Sequence, residues 1–135
     1  MAEVECGAPR CENCGVLNSA SIAAPAPGAE CPELVRMIVE IPKNSGNKYE
    51  YDGKLGIFRL DRALYSPMHY PGDYGFIPGT LAADCDPMDA VVMVEEPSFT
   101  RCMIEVRPVG LLNMIDQQQS NQKILAMPNR KPALR

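Results

Sequence analysis

From Leu34 onward, apolar and polar positions alternate with a period of two. In LVRMIVEIP, Val35, Met37, Val39 and Ile41 fall on one side and Arg36 and Glu40 on the other, and Pro42 closes the run. Such alternation marks a strand with one face against a core. KYEYDGKLGIFRLDR then sets Asp52-Gly53 between two β-prone runs, the strongest hairpin signal in the chain. YPGDYGFIPGT, from Tyr70 to Thr80, is punctuated by Pro and Gly and reads as an irregular loop or a short strand exposing its tyrosines. AVVMVEE, CMIEVRPVGLLNMID and KILAMP add further strands. No segment holds a helical period of useful length. About five short strands separated by turn signals predict a mainly β fold, a small closed barrel, and closure also removes exposed strand edges.

At 135 residues the chain has room for one domain. Residues 1–33, rich in Ala, Pro, Gly, Ser and Cys, read as a flexible arm; 34–128 hold the barrel; 129–135 form a short polar tail. Four of the six cysteines, Cys6, Cys11, Cys14 and Cys31, lie in the arm. Cys11 and Cys14 have the spacing of a zinc knuckle, but no second knuckle follows, and the intervening NSASIAAPAPGAE resembles a linker. The arm's cysteines therefore read as incidental, and Cys85 and Cys102 as small apolar residues in or beside strands. Met37, Met88, Met93, Met103 and Met114 read as core filler.

The net charge of −4, with no basic stripe, argues against a general nucleic-acid binder. No apolar run approaches the ~18 residues of a membrane span. Glu3, Glu5, Glu12 and Glu30 fit neither a secretory signal nor a transit peptide, so a cytoplasmic address is expected.

Three aspartates, Asp84, Asp86 and Asp89, crowd the mouth of a predicted strand. Like-charged carboxylates this close repel and need a compensating cation or solvent. The EF-hand pattern fails, because its sixth position requires Gly and here holds Asp89. Pro87 stiffens the turn, and a rigid group of hard oxygens suits Mg²⁺, which takes one or two carboxylates and keeps water or phosphate oxygens elsewhere. Lys48, Arg62 and Lys123 lie on or beside strands, and Tyr70 and Tyr74 in the Pro/Gly segment. Together with a carboxylate–metal cluster, these donors are equipment for holding a polyphosphate. Neither GxxxxGK[ST] nor GxGxxG occurs, and His69, the sole histidine, has no nucleophile spaced to pair with it.

VEIPKNSGNKYEYD, LDRALYSPMHYPGDYGFIPGTLAADCDPMDAVV and RPVGLLNMID, in register from about Val35 to Pro128, resemble soluble family I inorganic pyrophosphatase. The resemblance implies an OB-like five-stranded barrel and Mg²⁺-dependent hydrolysis of inorganic pyrophosphate. It sets Asp84, Asp89 and Asp116 on metal-coordinating positions and Asp86 on the carboxylate that handles the proton of the attacking water. Lys48, Arg62, Tyr74 and Lys123 fall on phosphate-binding positions, and Glu40, Glu50 and Tyr70 on the cavity lining. Three departures stand out. Asn121 occupies the place of a further metal-binding Asp, which implies weaker retention of metal on that side. Cys85 replaces a common Gly. The family's long helical segment, with a phosphate-binding Tyr-Lys pair, would follow where this sequence stops; without it an apolar flank is expected to pair with a second copy or a full-length relative. The alternative expectation is a non-catalytic remnant that binds metal or phosphate weakly.

Overall fold

The computed structural model describes residues 27–63, 71–82, 86–116 and 119–129. These residues form seven strands and no helix: β1 (Val35–Ile41), β2 (Asn47–Asp52), β3 (Ile57–Ala63), β4 (Asp73–Ile77), β5 (Met88–Val92), β6 (Met103–Asp116) and β7 (Gln119–Pro128). Five of them close into a barrel in the order β1-β4-β5-β7-β6, and β2 and β3 make a separate hairpin. Neighbours in the barrel are antiparallel except β5 and β7. The predicted five-stranded barrel is present, and the hairpin is an addition to it.

The barrel interior is filled by Val35, Met37, Ile77, Ala90, Val92, Val106, Ile124 and Ala126, all buried. Each strand contributes alternate residues, as the period of two requires, so the opposite set of side chains points out of the barrel. β1 departs from the expected one-sided pattern. Ile38 and Glu40, each 8% exposed, are also buried, because the hairpin covers the outer face of this strand. Tyr51 of β2 stacks on Phe76 of β4 with ring centroids 5.2 Å apart, and its backbone N–H donates to Glu40 Oε2 at 2.9 Å. Half-burial of Arg36 alone preserves the polar side that the sequence pattern assigned to both residues.

Glu40 is also the extra residue of a β-bulge. Val39 pairs with Gly75 and Ile41 with Tyr74, which leaves Glu40 without an opposite residue on β4. A bulge re-aims the side chain it carries. Gly75 is required here, since a Cβ would collide with the carbonyl oxygen of Ile38.

The Pro/Gly segment resolves to the short-strand reading. Asp73 is fully buried and Tyr74 half-buried, so Tyr74 is not the exposed residue expected. Asp73 accepts hydrogen bonds from the Lys43 N–H (2.7 Å), the Ser98 N–H (3.1 Å) and the Ser98 hydroxyl (2.6 Å). It thereby ties the β1–β2 connection and the loop after β5 to the start of β4. Three donors on one carboxylate satisfy a charge that burial would otherwise penalise.

The hairpin forms where Asp52-Gly53 predicted one, with a longer turn. Asp52 Oδ1 accepts from the N–H groups of Lys54 and Leu55 at 3.0 and 3.1 Å, and the Gly56 N–H donates to Asp52 O at 2.8 Å. The left-handed residue is Gly56, at φ 69°, a conformation that costs glycine nothing.

Among the methionines, Met37 lies in the core and Met88 packs against it, but Met103 is half-exposed on the outer surface of β6. Met103 is therefore not the core filler expected: strand alternation directs it outward. Cys31 is disulfide-bonded, which removes its thiolate from any zinc set. Cys102 is free and half-buried. Cys6, Cys11, Cys14, His69 and Cys85 lie outside the described residues. The described residues contain no helix long and apolar enough to cross a membrane.

Candidate functional site

A cleft of about 190 Å³ opens between the outer face of the barrel and the hairpin. β2 supplies Lys48, Tyr49, Glu50 and Tyr51; β1 supplies Glu40; β4 supplies Tyr74 and Phe76; β5 and the turn before it supply Asp86, Pro87 and Asp89. The strand register explains the gathering. Phe76 pairs with Asp89 and Tyr74 with Val91 across β4 and β5, so Tyr74, Phe76 and Asp89 all leave the barrel on its outer side.

Six sequence-predicted residues line this cleft: Asp86, Asp89, Lys48, Tyr74, Glu40 and Glu50. Lys123 lies just behind its wall. Lys123 Nζ donates to Tyr74 Oη at 2.9 Å, contacts Asp89 Oδ2 at 3.3 Å and stands 4.6 Å from the centre of the Tyr74 ring. Arg62 pairs with Lys48 across the hairpin but is exposed and not among the lining residues. Asp116 pairs with Gln119 and Asn121 with Met114 at the far end of the β6–β7 ladder, where backbone position alone is described. Asp84 and Tyr70 lie outside the described residues.

The electrostatics divide between the walls. On the barrel wall, burial raises the Glu40 carboxyl from its ordinary 4.5 to about 7, and the negative charges of Asp89 and Glu50 push in the same direction. The hydrogen bond from the Tyr51 N–H and the positive charge of Lys48 oppose the rise without cancelling it. On the hairpin wall, Lys48 Nζ lies 3.5 Å from Asp61, and both side chains are more than a third exposed. Asp61 is the unpaired residue of a second bulge, since Lys48 pairs with Arg62 and Tyr49 with Leu60.

The chemistry of the lining acids suits a hard divalent cation. Asp86, Asp89, Glu40 and Glu50 offer only carboxylate oxygens, and neither His nor Cys is among the described residues that line the cleft. Mg²⁺ uses one or two carboxylates and leaves its other positions to water or phosphate. Among the described residues no group of three acids, histidines or cysteines is placed to hold an ion by itself.

Sequence reasoning missed the aromatic lining: Tyr49, Tyr51 and Phe76. A signal was present, because Tyr49 and Tyr51 alternate with Lys48 and Glu50 along β2, placing aromatic and charged residues on one short strand. It also missed Asp73, whose importance is visible only through Lys43 and Ser98, 30 and 25 residues away in sequence.

The chain is similar to known proteins in sequence and in fold. The family model described as inorganic pyrophosphatase matches residues 37–135. The inorganic pyrophosphatase of Halalkalibacterium halodurans is 48% identical over 101 residues, 75% of this chain and 62% of that protein. The inorganic pyrophosphatase of Sulfolobus acidocaldarius is 46% identical over 106 residues, 78% of this chain and 61% of the relative. The crystal structure of inorganic pyrophosphatase from Thermus thermophilus superposes with a TM-score of 0.73 at 47% identity, covering 78% of this chain and 60% of that one. The chain thus spans about 60% of the length of the relatives it matches. A superposable fold, a family match across nearly all of the described strands, and close to half of the aligned residues identical lead to one assignment: this chain belongs to the inorganic pyrophosphatase family.

Proposed function

We propose that this chain hydrolyses inorganic pyrophosphate to two phosphates in a Mg²⁺-dependent reaction. The observation that carries the proposal is the facing of Asp86 and Asp89 on the barrel wall by Lys48 on the hairpin wall, across a cleft backed by Tyr74 and Lys123. Family membership and the names of the relatives support the same substrate.

In this reading Asp84, Asp89 and Asp116 hold the metal, with Asn121 a weaker, uncharged donor beside them. When bound, Mg²⁺ supplies Lewis acidity toward water and phosphoryl oxygen. Asp86, exposed at the cleft mouth, accepts the proton of the attacking water. Lys48, Arg62, Tyr74 and Lys123 bind the phosphate oxygens, where fixed positive charge counters the charge that builds on the departing phosphate. Glu40, Glu50 and Tyr70 line the same cavity. One P–O bond to the bridging oxygen breaks, one forms to the water oxygen, and the proton leaves through Asp86. A cytoplasmic address belongs to the same proposal.

Phosphate release from pyrophosphate and Mg²⁺ tests it, with Asp86→Asn as the comparison. A loss of about 10²-fold or more is expected for the variant. Equal release by both proteins would overturn the assignment of Asp86, and no Mg²⁺-dependent release by the unaltered chain would overturn the activity.

A further inference from the structure

Lys123 is the one buried cation among the described residues, at 5% exposure. Its neighbours come from three adjacent strands: Tyr74 from β4, Asp89 from β5 and its own β7. A buried ammonium is expensive unless it is paired and hydrogen-bonded, and the partners that it has are the Tyr74 hydroxyl, the Tyr74 ring face and Asp89 Oδ2. Asp89 is the only anion among them. It is at the same time a lining residue of the cleft and, in the reading above, a metal ligand. One carboxylate therefore serves two cations.

We propose that Lys123 is the internal counter-cation of Asp89 in the metal-free protein, that it competes with a divalent ion for that carboxylate, and that the ion's arrival turns it toward a phosphate oxygen. Metal and phosphate are then positively coupled through Lys123, beyond any direct contact between them. The inference rests on the metal-dependent reading of the site and adds an order to its assembly. The physical reason is conservation of pairing. A divalent ion that draws charge from Asp89 leaves a buried ammonium short of an anion, and an incoming phosphate supplies one. Linkage makes the effect reciprocal, so phosphate tightens the ion by the same factor.

The test is calorimetric titration of the full chain with Mn²⁺ alone, with inorganic phosphate alone, and with each in the presence of the other. Lys123→Met keeps the stem and removes the charge. It is expected to bind Mn²⁺ alone at least about fivefold more tightly than the unaltered chain and to lose most of the coupling between ion and phosphate. Should the variant fold poorly, the unaltered chain provides a second reading. The Lys123 ammonium protons should exchange slowly with water in the metal-free protein, faster with Mg²⁺ alone, and slowly again with Mg²⁺ and phosphate together. Equal or weaker Mn²⁺ binding by Lys123→Met, or ammonium exchange indifferent to Mg²⁺, would overturn the proposal by itself. Absence of ion binding by the unaltered chain would overturn it together with the metal-dependent function, and phosphate release measured separately tells the two failures apart.

Discussion

The two walls of the cleft are built differently. The barrel wall stands on five strands closed around a core in which Met37, Val92 and Val106 have no exposed surface. The hairpin wall is a two-stranded sheet whose β3 is exposed at all positions but Phe58, and which leans on the barrel through the Tyr51–Phe76 stack and the Tyr51–Glu40 hydrogen bond. Isolated two-stranded hairpins are marginal in water. The hairpin's order is therefore borrowed from the barrel at Tyr51. Labour is divided between them: Asp89 and Tyr74, with Lys123 against them, stand on the wall with a core, and Lys48 and Glu50 on the wall without one.

The contrast can be broken from the barrel side first. Met37→Ala empties a fully buried position and should cost about 2–5 kcal/mol in denaturant unfolding. Its loss should be felt equally by probes on the barrel and on the hairpin, because the hairpin has no independent core.

Glu40 gives the next largest effect. In the metal-free chain its carboxyl is raised from 4.5 to about 7, so the folded state holds a proton that the unfolded state has released. Stability should be greatest below pH 4.5, fall as pH rises toward 7, and level off above it, by up to roughly 3 kcal/mol for this group. Glu40→Gln retains a carbonyl for the Tyr51 N–H and should flatten that slope. An unchanged slope, measured with chelator present, would show that the buried carboxyl does not control it.

Tyr51→Ala should sharpen the comparison. Removing one ring of the stack should cost on the order of 1–3 kcal/mol overall. Amide exchange should accelerate through residues 47–63 while β4, β5 and β7 keep their protection. If barrel amides accelerate to the same extent, the two walls are one cooperative unit and the contrast fails.

The smallest effect is expected at Asp61. Its 3.5 Å pair with Lys48 is on the surface, where such pairs contribute about 0–1 kcal/mol. Asp61→Asn should hardly move the unfolding midpoint. If the pair restrains the Lys48 ammonium, the substitution should still alter phosphate affinity measurably.

Much of this was legible in the chain. The period of two in β1, the hairpin around Asp52-Gly53 and the strand at KILAMP follow from patterns a few residues long, and such patterns report local geometry. Motif resemblance named Asp86, Asp89, Lys48, Tyr74, Glu40 and Glu50, and all six line the cleft. Burial of Glu40 was not legible, because it depends on a hairpin that folds back over β1. The half-burial of Tyr74 was hidden by the Pro/Gly punctuation around it, which reads as a loop until β1 and β5 pair on either side. Asp73 carried no signal of its own, because its three donors arrive from elsewhere in the chain.

The sequence by itself determined which residues could form strands, where the chain turns, and which side chains carry the charge for binding an ion and an anion. Those properties are encoded within a few neighbouring positions. Only the tertiary structure decided that Lys123 is buried against Asp89, that Glu40 lies in a bulge beneath Tyr51, and that Arg62 is exposed opposite Lys48 on the hairpin. Closing the barrel brings β4, β5 and β7 side by side, and long-range pairing of this kind sets burial and charge proximity, on which the behaviour of each ionisable group depends.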